Sequence, residues 1–190
     1  LMALAKGITG GYLPLAATLT TQAIYDAFLG DYAEFKTFFH GHSYTGNPLG
    51  CAAGIANLEV FEKEAVLKKL KPKMLFFKKE LHRIARWEYV GEVRQAGMMV
   101  GIELVADKKN KTPFPLTLRV GHLVCEEAKK NGVLLRPLGN VIVLMPPLSL
   151  SLRHLKKLMS VVEGAIKEGA KLRFANESIK VHCGRKQDEG

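Results

Sequence analysis

The sequence predicts a mixed α/β chain in two parts: an α/β segment over residues 1–86, and a small α+β domain over 87–175. Three observations carry that expectation. Near the start, a glycine-rich loop leads through a short apolar run into helical patterns. After Trp87 the texture changes, and glycines become spaced among valine, isoleucine and methionine. From about residue 88 the element order reads β-β-α-β-β-α, the order of a compact α+β domain with its own core.

The elements follow from local chemistry. "LAATLTT" is short, apolar and partly β-branched, and predicts a buried strand leaving the loop. Thr21 then caps a helix over "QAIYDAFLG", which Gly30 ends. "FKTFFHGHSYTGNPLG" crowds polar, aromatic and glycine residues into a loop. Asn47 followed by Pro48 is a strong helix start, with asparagine as the cap and proline at the first helical position. The helix that follows carries Gly50, Ala52, Ala53, Gly54 and Ala56, small residues that allow close packing, so it is expected to be buried. Pro72 is expected to divide the next basic region into a short and a long helical piece.

In the second part, "EYVGEVRQAGMMVGIELV" predicts two strands separated by a bend, and "PLTLRVGHLVCEEAKKNG" an amphipathic helix ending at Gly132. "VLLRPLGNVIVLMPPL" predicts two strands joined at "PLGN". Ser151 opens a final helix, "SLRHLKKLMSVVEGAIKEGAKLRF". Residues 176–190 show no periodicity and are expected to form a loose tail.

Composition narrows the function classes. The chain has 190 residues, 47% hydrophobic and 24% charged, the balance of a folded soluble protein. No apolar run approaches the ~20 residues of a membrane helix. The three cysteines, Cys51, Cys125 and Cys183, are far apart and have no CxxC spacing. Neither a metal site nor a disulfide framework is expected, and a reducing, cytoplasmic setting fits. The net charge of +10 raises the question of nucleic acid. Much of the excess, however, sits in "KEAVLKKLKPKMLFFKKELHRIAR", where Leu67, Leu70, Met74, Leu75, Phe77, Leu81 and Ile84 recur at helical spacing between lysines. That is a solvated face over a buried stripe, and no nucleic-acid signature accompanies it. Leu1 stands inside an apolar run with no leader pattern, so the chain is expected to be a piece of a longer one.

One residue is out of place. In "ALAKGITGGYLPLAATLTT", Lys6 stands between an apolar run and a loop containing Gly7, Gly10 and Gly11. Lysine is rarely buried, and glycines leave room for something to approach the backbone. Spacing alone leaves Lys6 open between a surface residue beside a turn and an amine presented to a ligand. Arg136, between "VLL" and Pro137, reads from the sequence alone as an edge-strand arginine. His40, Tyr12 and Tyr44 read as structural.

Three runs in order, "KGITGGYLPLAATLTT", "HGHSYTGNPLGCAA" and "LLRPLGNVIVLMPP", resemble the C-terminal half of the ornithine-type (class III) aminotransferases, fold-type I enzymes that use pyridoxal 5′-phosphate. The resemblance covers the chain up to the tail. It implies the end of the large cofactor domain over 1–86 and the small domain over 87–175. It also implies that Lys6 carries the cofactor as a Schiff base and serves as the catalytic base. The second run resembles the family loop that reaches across a homodimer. Gly41 would line the substrate, while His42 and Ser43 would meet the cofactor phosphate of the partner subunit. Many relatives have threonine at Ser43 and several have proline at His42. Arg136 falls where the family binds a substrate carboxylate, which the guanidinium fork fits bidentately.

The third run is closest to the branch that serves biotin synthesis. It implies amino transfer to 8-amino-7-oxononanoate, giving 7,8-diaminononanoate, with S-adenosylmethionine or lysine as donor. The family's Gly-Ser phosphate loop, ring-stacking aromatic and pyridine-binding aspartate all lie upstream of the lysine. Five residues before Lys6 leave no space for them, so the isolated 190-residue chain is expected to be inactive. Another ω-amino-acid aminotransferase of the family and a non-catalytic remnant remain as alternatives.

Overall fold

The computed structural model describes residues 1–184, with side chains through Gly169. It divides into two compact units, Leu1–Lys68 and Lys69–Gly190.

In the first unit, strand β1 (Met2–Ala5) pairs antiparallel with β2 (Ala16–Leu19), Ala5 facing Ala16. The loop between them is a single 3-10 turn, Lys6–Thr9, closed by Gly10 and Gly11 at positive φ. The short helix α1 (Gln22–Asp26) follows Thr21, whose side chain makes no capping bond. Helix α2 (Pro48–Lys63) starts as its sequence predicts: the Asn47 side-chain Oδ1 accepts from Leu49 N at 2.9 Å and Gly50 N at 3.3 Å. Those bonds satisfy donors the first helical turn cannot pair internally.

Burial in this unit departs from expectation. The side chains of β2 are mostly exposed, and of α2 only Gly50 and Gly54 are buried. Leu49, Ile55 and Leu58 are each more than half exposed. The small-residue stripe of α2 does lie close to its neighbours: a Cβ on Gly54 would stand 3.1 Å from the Leu15 side chain and 3.8 Å from the Ile8 carbonyl. A 68-residue unit of this shape covers one narrow stripe of the helix and no more.

Helix α3 (Val66–Ile84) runs unbroken through Pro72, correcting the expected division there. Pro72 lies on the exposed side, so water can satisfy the Lys68 carbonyl that loses its partner. The break in the helical run comes earlier, at Ala65, where φ is +49°. From Leu70 onward α3 buries Leu70, Phe77, Leu81 and Ile84. Its C-terminal carbonyls are met by Lys108, whose Nζ donates to Ala85 O at 2.6 Å and Trp87 O at 2.9 Å, a favourable place for a cation.

The second unit is built on an antiparallel sheet in the order β3-β4-β7-β6, with β5 also on β4. The strands are β3 (Val90–Ala96), β4 (Met99–Asp107), β5 (Thr112–Pro113), β6 (Arg136–Leu138) and β7 (Val141–Leu144). Alternation is regular: Val100, Ile102 and Leu104 of β4, and Ile142 and Leu144 of β7, are buried. On the other face Glu92 lies directly opposite Glu103, and Arg94 bridges them at 3.4 and 2.6 Å. Helix α4 (Val120–Lys130) packs on α5 (Leu152–Gly184), contributing Val120, Val124 and Ala128 to a core shared with Leu155, Met159, Val162 and Ile166.

Two boundaries differ from expectation. α4 starts five residues later than the run "PLTLRV" suggests, because Arg119 takes φ +49° after a separate 3-10 turn at Leu116–Leu118. Helix α5 continues to Gly184, through most of the segment expected to be a loose tail; residues 185–190 lie outside those described.

Candidate active site

Lys6 is the first residue after β1, and its backbone is in the left-handed region, φ +57°. A non-glycine residue there carries strain of about 1–2 kcal/mol, which persists only where the surroundings fix it. They do so from three directions. Gly10 N–H donates to Gly7 O at 3.1 Å, and Tyr12 N–H to Thr9 O at 3.2 Å. Thr9, only 1% exposed, donates its hydroxyl to Leu13 O at 2.5 Å. From helix α2, the Asn57 amide donates to Gly7 O at 3.0 Å and Ile8 O at 3.1 Å. The strained residue thus heads a turn tied both to itself and to a helix.

The Lys6 side chain is exposed, and among the described residues no carboxylate or carbonyl holds its amine. Space surrounds it as well: a Cβ added to Gly7 or Gly11 would meet nothing within 4 Å. An unpaired amine beside an open glycine cradle fits a planar aldehyde-bearing cofactor, because the nucleophile is free and the backbone can be approached.

The loop over 41–46 is exposed and tightly self-bonded. His42 N–H donates to the Thr45 hydroxyl at 3.0 Å, and Thr45 N–H to His42 O at 2.9 Å. Tyr44 N–H donates to His42 Nδ1 at 3.2 Å, which places the proton of the neutral ring on Nε2. The His42 and Tyr44 backbone donors are therefore spent inside the loop. Ser43 differs: among the described residues neither its hydroxyl nor its N–H has a partner, and both are available to an anion. A Cβ on Gly41 would meet nothing within 4 Å. Lys6 and Ser43 sit on separate loops with no hydrogen bond between them among the described residues.

Arg136 opens β6 opposite Val143 in the second unit. It is exposed, and among the described residues no carboxylate pairs with it. It lines a groove of about 720 Å³ whose wall is largely apolar, including Leu134, Leu138 and Met145, with His154 and Lys157 also present. The hairpin carrying it is pinned by Gly139, at φ +58°, and by helix α4, where Gly121 passes in contact with the Gly139 carbonyl. Cys125 of α4 is buried, and burial together with the neighbouring Glu126 carboxylate pushes its thiol up to about 11. It is structural in character.

Sequence reasoning did not find Asn57 or Gly121. Asparagine is an indifferent residue inside a helix, which was the available signal, but its partners lie about 50 positions away.

These features define a class of protein. The class-III aminotransferase family profile matches residues 1–166, and the chain belongs to that family, whose members depend on pyridoxal 5′-phosphate. Among curated relatives, it is 52% identical over 168 residues to the adenosylmethionine-8-amino-7-oxononanoate aminotransferase of Anoxybacillus flavithermus, covering 88% of this chain and 37% of that protein. It is 53% identical over 166 residues to the enzyme of the same name from Geobacter sulfurreducens, covering 87% and 37%. The crystal structure of the Methanocaldococcus jannaschii adenosylmethionine-8-amino-7-oxononanoate aminotransferase superposes with a TM-score of 0.82 at 51% identity, over 87% of this chain and 38% of that one. The chain thus spans a little over a third of the length of these relatives, within their C-terminal portion. No helix among the described residues is long and apolar enough to cross a membrane.

Proposed function

We propose that this chain is the C-terminal part of an aminotransferase that converts 8-amino-7-oxononanoate to 7,8-diaminononanoate in biotin synthesis, with S-adenosylmethionine as the donor and lysine as the alternative. The observation that carries the reading is Lys6: an unpaired amine on a strained, clasped turn beside an open glycine cradle. Relatives more than 50% identical over nearly nine-tenths of the chain, all of one name, support the choice of reaction.

In this reading residues 1–86 end the large cofactor domain and 87–175 form the small domain. Lys6 would hold the cofactor through its ε-nitrogen, and its ε-amine, when free, would be the base that moves the proton at the substrate carbon. The chemistry supplied when pyridoxal phosphate is bound is an electron sink for the charge left by that proton. Ser43 donates its hydroxyl and N–H to the phosphate of the partner subunit's cofactor, while His42 shapes the loop and offers Nε2–H. Gly41 leaves the substrate room. Arg136 holds the substrate carboxylate at the end of an apolar chain, for which the groove wall is suited.

A homodimer in the cytoplasm completes the proposal. For the dimer, the support is the exposed 41–46 loop, whose Ser43 hydroxyl and N–H have no partner among the described residues. On its own, the 190-residue chain should lack turnover.

The test is kcat/KM of the protein that carries this chain, with 8-amino-7-oxononanoate, for wild type, Arg136→Ala and Arg136→Lys. Arg136→Ala should lose a few kcal/mol of transition-state stabilisation, about 2–5 kcal/mol. Arg136→Lys should recover little, since a point charge cannot reproduce the fork. Efficient amination of a different keto acid, with none of this substrate, would assign the protein to another ω-amino-acid branch. No turnover with any keto acid would leave the non-catalytic reading. Full activity in Arg136→Ala would remove Arg136 from the site.

A further inference from the structure

Helix α2 does more in this unit than cap a loop. The side chain that it hydrogen-bonds to the Lys6 turn is that of Asn57, half-buried, six residues before the last residue of the helix. The amide nitrogen reaches the carbonyls of both Gly7 and Ile8, the two residues immediately after Lys6. The amide oxygen faces the same turn, 3.1 Å from where a Gly10 Cβ would stand. One planar group therefore holds the turn by two successive carbonyls. Gly54, a helical turn earlier, is buried against Leu15 and lets the helix approach closely enough for the short asparagine stem to reach.

The two gripped carbonyls matter because of what they fix. Lys6 holds φ +57°, a value a lysine in a free loop would leave for the ordinary right-handed or extended regions. Rotating Lys6 out of the left-handed region turns the peptide planes that follow it, and the carbonyls of residues 7 and 8 turn with them. Two hydrogen bonds from a helix oppose that rotation. The direction in which the Lys6 Cα–Cβ bond points is set by the same backbone angles, so the clamp on the carbonyls is also a clamp on the amine.

We infer that Asn57 is a positioning residue for Lys6: its amide holds the left-handed turn that aims the lysine amine. The inference rests on Lys6 being the cofactor lysine, and the experiment separates the two claims. The protein that carries this chain is stripped of cofactor, and pyridoxal phosphate is returned to wild type, Asn57→Asp and Asn57→Gln. Asn57→Asp keeps the shape but replaces the donating nitrogen with an oxygen that faces both carbonyls. Asn57→Gln keeps the donors on a longer stem.

Three quantities are read. The first is the rate at which borohydride-fixable cofactor forms on the Lys6 peptide. The second is the pH midpoint of the bound cofactor's absorbance change, which depends on how the lysine nitrogen lies relative to the ring plane. The third is the melting temperature, with capture and absorbance both measured well below it.

Asn57→Asp should slow capture at Lys6 at least tenfold and displace the midpoint. Asn57→Gln should recover part of both. A lowered melting temperature with wild-type capture and an unmoved midpoint would make Asn57 merely structural and overturn the inference. So would recovery in Asn57→Asp equal to that in Asn57→Gln. If wild type itself is fixed at another lysine, the assignment of Lys6 falls and takes this inference with it. If Asn57→Asp does not fold, Asn57→Gln and Asn57→Ser carry the same comparison, with Asn57→Ser expected to be the slower.

Discussion

Gly121→Ala tests how the Arg136 hairpin is held. In the structure, the first turn of α4 passes so close to the β6–β7 turn that an added Cβ would run into the Gly139 carbonyl oxygen. It would also stand 3.1 Å from Pro137 Cβ and 3.3 Å from the Gly139 carbonyl carbon. Two of these atoms are backbone, and the third belongs to a proline ring, so no rotamer change relieves the clash. Either α4 retreats from its buried contacts at Val120 and Val124, or the hairpin moves outward with Arg136. Overpacking of this kind costs about 1–3 kcal/mol, a melting temperature lower by roughly 2–12 °C.

The functional cost should exceed what stability alone implies, since misplacing a substrate-holding group by about 1 Å can cost on the order of 10²-fold in rate. The assays are thermal unfolding of the protein that carries this chain and steady-state kinetics with 8-amino-7-oxononanoate. KM should rise and capture of cofactor at Lys6 should stay unchanged. Gly164→Ala is the control: it lies exposed in α5, where a Cβ meets nothing within 4 Å, and should be neutral or stabilising by up to about 1 kcal/mol. If Gly121→Ala melts with wild type and keeps its KM, the close approach does not exist in solution and the account of the hairpin fails.

Mixing Ser43→Ala with Lys6→Ala tests whether the 41–46 loop serves the partner subunit. Each hybrid dimer should then have one doubly damaged site and one intact site, with about half of wild-type activity per hybrid; hybrids proven by mass but inactive would contradict it. For Cys125, a thiol raised to about 11 holds its proton in the native state at pH values where the unfolded chain, near 9, has lost it. The stability this contributes is complete below pH 9 and disappears as the pH rises to about 11. At pH 8, alkylation mapped by mass spectrometry should reach the partly exposed Cys51 well before Cys125. Equal rates at the two would show that burial does not hold the Cys125 proton.

What was legible in the sequence is what local chemistry determines. Asn47–Pro48 specifies a helix start through one side chain and one fixed φ, and both act within three residues. The alternation over β4 and the glycine turns at Gly97, Gly132 and Gly139 are local in the same way. Lys6 stood out because a lysine in a glycine loop between apolar runs has no packing reason to be there. Pro72 misled because its effect depends on whether the orphaned carbonyl faces water, which composition does not encode. The start of α4 at Val120 depends on Arg119 adopting a left-handed angle, for which arginine gives no sign. Asn57 and Gly121 were invisible for a related reason: each acts on a partner distant in sequence, through approach of one element to another.

The most direct measurement is the site of covalent cofactor attachment. The protein that carries this chain is loaded with pyridoxal phosphate, reduced with borohydride, digested, and its peptides are sequenced by mass spectrometry. The added mass should fall on the peptide containing Lys6 and be lost in Lys6→Ala, while some cofactor is still bound non-covalently. Equal labelling in Lys6→Ala, or a wild-type label on a different lysine such as those of the basic helix α3, would contradict it.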